Sequence, residues 1–128
     1  MKRRILIVDD DESNNVTFKI GFESRYPEYE VLTAQSGAEC IKLLEEGNIP
    51  DVILLDIMMP EMSGWELYDR VRSHPSWKNI PIIFLTARTD NLARNAGGFL
   101  GDDYIEKPYE LEDVKNRIEA VLRMNKLL

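Results

Sequence analysis

Cysteine and histidine are nearly absent: Cys40 and His74 are single occurrences in 128 residues. One cysteine excludes an intramolecular disulfide, leaves no second thiol to share a metal, and suits a reducing cytosol; Cys40 reads as a core residue. His74 precedes Pro75 with no acid or metal partner in sight, and reads as an exposed helix-end residue. Long apolar runs are also missing. The stretches 52–55 and 80–85 fall far short of the roughly 18 residues that a membrane helix needs. A basic start over 1–4 and an apolar run over 5–8 resemble a secretion signal only until Asp9, Asp10 and Asp11 end the run. Positive charge is scarce, with 16 Lys and Arg against 23 Asp and Glu and a net charge of −7. That balance argues against direct nucleic-acid binding by this segment, since gripping phosphate backbones takes an excess of cations. Repeats, low-complexity segments, long linkers, G-x-G-x-x-G and Walker A sequences are lacking too. A cytoplasmic protein with no membrane span is the expectation.

What is present is the balance of an ordinary folded domain, 44% hydrophobic and 30% charged residues. The length suits one domain over 1–128. Short apolar runs at 5–8, 31–34, 52–55, 82–85 and, more briefly, Tyr104-Ile105 alternate with segments of helical length. The first, third and fourth runs are almost continuous Ile, Val, Leu and Phe, as in strands covered on both faces. Helices are expected at 14–26, closed by Pro27, at 37–46, closed by Gly47, and at 64–73, closed by His74-Pro75. Leu111, Val114, Ile118, Val121 and Leu122 recur at helical spacing and form the apolar stripe of a last helix. The segment 91–99 is a weaker helix, short and mobile, because Gly97 and Gly98 each cost about 1 kcal/mol relative to alanine. The pattern is α/β: a (βα)5 doubly wound, parallel, five-stranded sheet of flavodoxin-like order 2-1-3-4-5.

In such a sheet ligands bind beyond the carboxyl ends of the strands where strand order reverses, here between the first and third strands. Asp9 and Asp10 follow the first strand and Asp56 ends the third, so three carboxylates converge on one cleft, where unpaired they would repel. A hard divalent cation resolves that repulsion, and Mg²⁺ favours one or two carboxylates, several waters and a phosphate oxygen. A carboxylate can attack phosphorus to form an aspartyl phosphate, which makes Asp56 the candidate nucleophile. Thr86 closes the fourth strand with a hydroxyl and Lys107 follows the fifth with a point charge suited to phosphate.

The stretches Ile5-Leu-Ile-Val-Asp-Asp-Asp11, Leu55-Asp-Ile-Met-Met-Pro-Glu-Met-Ser-Gly64, Leu85-Thr-Ala87 and Asp102-Asp-Tyr-Ile-Glu-Lys-Pro108 resemble the receiver domains of two-component response regulators. The resemblance covers the whole chain, and the order of four motifs, each at a strand end, makes it specific. It implies a phosphorelay signalling domain that takes a phosphoryl group on Asp56 from a sensor histidine kinase or phosphotransfer protein and is not a turnover enzyme. It implies Mg²⁺ on Asp9, Asp10, Asp56 and the Met58 backbone carbonyl, with Thr86 and Lys107 on the phosphoryl oxygens and a cis Lys107-Pro108 bond. Thr86 and Tyr104 would be the switch pair, altering the surface of the 91–99 segment, the fifth strand and the last helix toward an unknown output partner or effector domain. Both a monomer and a homodimer paired through that surface fit the pattern. One departure stands out: Gly101 runs straight into Asp102-Asp103, where most family members carry a small residue between.

Taken singly, these residues have blander readings. Asp11 is a helix cap; Thr86 alone is a strand-end residue, Lys107 alone a surface lysine, and Tyr104 alone a packing aromatic. Trp65, Trp77 and Tyr109 read as packing or rim residues. A haloacid-dehalogenase-type phosphatase needs an acid two residues after its nucleophile, where this chain has Met58. A flavodoxin-like cofactor protein is opposed by carboxylates where a flavin phosphate would sit. A pseudo-receiver acting only as a docking module is opposed by the intact acidic set. Met58 and Arg88, each two positions beyond a site residue, are expected to border the path of the hydrolytic water. Met58→Asn and Arg88→Ala should therefore each change the dephosphorylation rate, followed as decay of phosphoprotein.

Overall fold

The computed structural model describes residues 2–87 and 103–125. Strands β1 (Arg3–Val8), β2 (Tyr29–Ala34), β3 (Val52–Asp56), β4 (Ile82–Ala87) and β5 (Asp103–Lys107) form one sheet, all neighbours parallel, in the order β2-β1-β3-β4-β5. The described helices are α1 (Glu12–Arg25), α2 (Gly37–Glu45), α3 (Gly64–Ser73) and α4 (Leu111–Met124). The flavodoxin-like, doubly wound sheet expected from the sequence is observed. The helix expected over 91–99, Arg88, Gly101 and Asp102 lie outside the described residues.

Alternation along the central strands divides two apolar layers. Leu6, Val8, Ile53, Leu55 and Phe84 pack with Cys40 and Leu44 of α2 and Leu67 and Val71 of α3. Ile5, Ile7, Leu54, Ile83 and Leu85 face Phe18 and Phe22 of α1 and the Val114, Ile118, Val121, Leu122 stripe of α4. Apolar residues on both faces of a strand therefore mean two helix layers, as continuous runs imply. Cys40 is wholly buried, and burial pushes its thiol up to about 12. No described helix is long and apolar enough to cross a membrane.

Helix ends follow local chemistry. Helix α1 begins two residues before the expected start because Asp11 is its N-cap, its Oδ1 accepting from the N–H groups of Ser13 at 2.9 Å and Asn14 at 3.4 Å. Ser36 and Ser63 cap α2 and α3 in the same way, on the Glu39 and Glu66 N–H groups. Gly47 follows α2 with φ +91°, a left-handed conformation that glycine adopts without a side-chain clash. His74, expected at an exposed end, instead is half-buried: it is the C-cap of α3 and stacks on Trp77 with centroids 3.6 Å apart.

Strand β2 lies at one edge of the sheet, where unpaired main-chain groups are a liability. Helix α1 covers those of Val31. Glu23 Oε2 accepts from the Val31 N–H at 2.7 Å, Lys19 Nζ donates to the Val31 carbonyl at 2.6 Å, and the two side chains pair at 3.0 Å. Partial burial works against ionisation of Glu23, but the Val31 N–H and the Lys19 ammonium outweigh it and hold the carboxyl below its ordinary 4.5. A depressed folded-state value stabilises the fold above the unfolded value and is lost as pH falls through the folded one. Glu23→Ala should cost about 1–2 kcal/mol in urea unfolding at pH 7. The difference from the parent protein should shrink as pH drops below 4.5.

Candidate functional site

At the carboxyl ends of β1 and β3, the central neighbours of the sheet, the chain leaves wholly apolar strands and turns acidic. Asp9 is 2% exposed, Asp56 is 7% exposed, and Asp10 is exposed. Each offers a carboxylate oxygen, and these oxygens all lie within 4.8 Å of one another. Lys107, at the end of β5, reaches across the top of β4, with Nζ 3.0 Å from Asp9 Oδ2 and 3.5 Å from Asp56 Oδ2. Main-chain donors complete the pocket: the Asp11 N–H on Asp9 Oδ1 at 3.0 Å and the Met58 N–H on Asp56 Oδ1 at 3.2 Å.

The two buried acids are driven apart electrostatically. Burial raises Asp56 to about 6; Lys107 pulls the other way, and the Asp9 charge adds to the rise. Burial also opposes ionisation of Asp9, yet the Asp11 N–H and Lys107 outweigh it, so its carboxyl lies below the ordinary value. Lys107 gains from both: burial disfavours its charge, but Asp56 and Asp9 together raise it above the usual lysine value. Of the two buried acids, the surroundings thus favour the ionised form of Asp9 and the neutral form of Asp56, with a cation bridging them.

The donor set fits a small hard cation. All three side chains present oxygen, two are buried beside each other, and their number leaves positions for water and a phosphate oxygen, as Mg²⁺ prefers. Next to this strand-end cluster in the sheet order, the Thr86 hydroxyl is buried and has no hydrogen-bond partner in the described structure. Thr86 is 1% exposed at the carboxyl end of β4, on the same face as Phe84 by strand alternation.

The remaining predicted residues are at the rim or one strand away. Met58 is 68% exposed, and its main-chain N–H donates to Asp56 Oδ1. Tyr104 pairs in register with Phe84 and packs against the α2/α3 layer that holds Phe84. The Lys107-Pro108 bond is cis. Sequence reasoning passed over Asn15, buried at 1% exposure, whose Nδ2 donates to the Asp9 carbonyl at 2.9 Å. Its signal was visible: a polar residue on the apolar stripe Asn15, Phe18, Phe22 of α1.

Close packing keeps α3 at this site. Gly64 donates its N–H to the Ile57 carbonyl at 3.0 Å, and a Cβ there would lie 2.6 Å from the Asp56 carbonyl oxygen and 2.7 Å from Ile57 Cα. Both are backbone atoms that cannot step aside cheaply.

An open parallel sheet with acids at its switch point and a lysine from the last strand is a doubly wound fold whose polar groups gather where such folds bind their ligands. The comparisons narrow it. The family model of the response regulator receiver domain matches residues 5–119, and the chain belongs to that family of signalling domains. It is 34% identical over 128 residues to the alkaline phosphatase synthesis transcriptional regulatory protein PhoP of Bacillus subtilis, covering 99% of this chain and 51% of that protein. It is 37% identical over 127 residues to the phosphate regulon transcriptional regulatory protein PhoB of Rhizobium meliloti, covering 98% of this chain and 55% of that protein. The chain thus spans about half the length of these curated relatives. Among solved structures, chemotaxis protein CheY4 of Vibrio cholerae superposes with a TM-score of 0.84 at 28% identity, over 95% of this chain and 100% of that one. A response regulator receiver domain protein from Clostridium thermocellum gives 0.83 at 28%, over 98% of each.

Two outcomes follow. Raised from 3.8 to about 6, Asp56 favours the folded state when protonated, so its contribution to stability is lost as pH rises through that window and the penalty is complete above it. In chelator at pH 7.5, Asp56→Asn should raise the unfolding free energy by something on the order of 1–3 kcal/mol, with the gain vanishing below the unfolded value. Gly64→Ala should lower it by about 1–3 kcal/mol at any pH, read from the urea midpoint.

Proposed function

We propose that residues 1–128 form one receiver domain that accepts a phosphoryl group on Asp56 in a Mg²⁺-dependent reaction. The observation that carries this reading is the convergence of Asp9, Asp10 and Asp56 within 4.8 Å, with Lys107 at 3.5 Å from Asp56, in a chain of the receiver family. An ionised Asp56 oxygen attacks phosphorus. The new O–P bond forms as the P–N bond to a donor imidazole breaks, and the imidazole nitrogen keeps the electron pair. At neutral pH, above the raised Asp56 value of about 6, the nucleophile is mostly ionised without losing its proximity to a proton-binding threshold.

Negative charge builds on the equatorial oxygens during transfer, and preorganised donors lower its cost. Lys107 is held in place by Asp9 and supplies a fixed ammonium. The Thr86 hydroxyl supplies a neutral donor whose desolvation has already been incurred in folding. Mg²⁺, held by Asp9, Asp10, Asp56 and the Met58 carbonyl, would add charge neutralisation beside the buried carboxylates. The exposed Met58 side chain leaves the approach to Asp56 open to a partner.

The partner is a sensor histidine kinase or a phosphotransfer protein, and the phosphorylated domain acts on an output partner or effector domain. Thr86 and Tyr104 serve as the switch: both belong to the sheet face of Phe84, so inward movement of the Thr86 hydroxyl toward a phosphoryl oxygen opens space on the side where Tyr104 packs. Phosphorylation shifts such an equilibrium only by its different interaction with the two states.

Intact mass after incubation with Mg²⁺ and acetyl phosphate tests this. One phosphoryl group should be gained by the parent protein and by neither Asp56→Asn nor a chelator control. Folded, Mg²⁺-binding protein that gains none would leave only a docking module.

A further inference from the structure

We propose that Asn15 is a positioning residue for the Asp9-Asp10 turn, acting on metal binding through the main chain. The inference rests on the metal reading above and extends it to a residue that touches neither metal nor phosphate.

The amide of Asn15 comes from the buried stripe of α1 and is spent on two backbone carbonyls at the carboxyl ends of adjacent strands. Nδ2 lies 2.9 Å from the Asp9 carbonyl oxygen and 3.2 Å from that of Ala34. Ala34 also accepts from the Asp9 N–H at 3.1 Å. Asp9 is therefore held at both ends of its main chain, its N–H by the neighbouring strand end and its C=O by Asn15. The Asp9 carbonyl belongs to the peptide plane that carries Asp10, so one hydrogen bond orients the link between two of the three clustered acids.

Two further features separate positioning from mere packing. Asn15 Oδ1 is buried and has no hydrogen-bond partner in the described structure, so what the side chain contributes beyond packing lies in its two Nδ2 hydrogen bonds. The side chain is suited to its donors. The Ala34 carbonyl keeps the Asp9 N–H if Asn15 is replaced, whereas among the described residues the Asp9 carbonyl has no other donor. The loss would fall on the Asp9-Asp10 peptide. Groups that orient metal ligands without touching the ion commonly change affinity by about 10–100-fold when removed.

The test is Mg²⁺ titration calorimetry on the full chain for the parent, Asn15→Leu and Asn15→Ala, with urea unfolding of each. Ile118→Val and Leu122→Ala, in the apolar layer under α4, bracket the stability loss as controls. The expected result is a Mg²⁺ dissociation constant raised about tenfold or more in Asn15→Leu and unchanged in the controls. Asn15→Ala should fall between, since its smaller side chain leaves room for a water to donate in place of Nδ2, and it stands in if Asn15→Leu does not fold. Parent-like affinity in the Asn15 variants, or an equal loss in stability-matched controls, overturns the positioning role. A parent protein that binds no Mg²⁺ overturns the metal reading itself.

Discussion

Everything at the carboxyl end of this sheet is organised around two buried like charges, Asp9 and Asp56, and the lysine between them. Burying a carboxylate is costly, and burying two side by side more so, unless cations and donors answer them. Lys107 answers both from the far strand of the sheet. Its position depends on β5 lying alongside β4, which lies alongside β3, so the whole sheet order takes part in balancing one pocket. The balance is unequal by design of the surroundings: Asp9 has the Asp11 N–H and a short contact to the ammonium, while burial favours the neutral form of Asp56. Acids whose surroundings push their ionisation in opposite directions are characteristic of functional sites.

The helices serve the same pocket from outside. Asp11 caps α1 immediately after the acidic pair, so the chain turns away from the cleft as soon as it has delivered Asp10. Gly64 brings the start of α3 against the main chain of Asp56 and Ile57. Asn15 reaches back from α1 to the peptide between Asp9 and Asp10. Apolar layers on both faces of the sheet make the strand ends rigid, and rigid strand ends are what a site needing sub-ångström placement requires.

Much of this was legible in the chain. Continuous apolar runs at β1, β3 and β4 announced buried parallel strands, and the proline and glycine stops marked the helix ends. Asp9, Asp10, Asp56, Thr86 and Lys107 all stood out because each follows or closes an apolar run, and in a parallel sheet all such points share one edge. Among the described elements, bounds differed where apolar runs under-report structure: β1 and β2 each start two residues early, α1 starts at Glu12 because Asp11 caps it, and β5 runs from Asp103 to Lys107 although its own sequence is mostly polar. Strand β5 forms because β4 offers a paired edge, a tertiary cause that no local propensity carries.

The sequence by itself determined the fold class and the identity of the acids, because hydrophobic periodicity and strand-end position are properties of the chain read in order. Only the tertiary structure decided how those acids differ. Which carboxyl is buried beside a cation, which has a main-chain donor, and which is lifted to about 6 depend on distances between segments far apart in the chain. The edge-covering pair Lys19 and Glu23 belongs to the same category, since hydrogen bonds and desolvation act through space and leave little trace in sequence spacing; Asn15 shows in the sequence as a polar residue on an apolar stripe, but only the fold gives its acceptors.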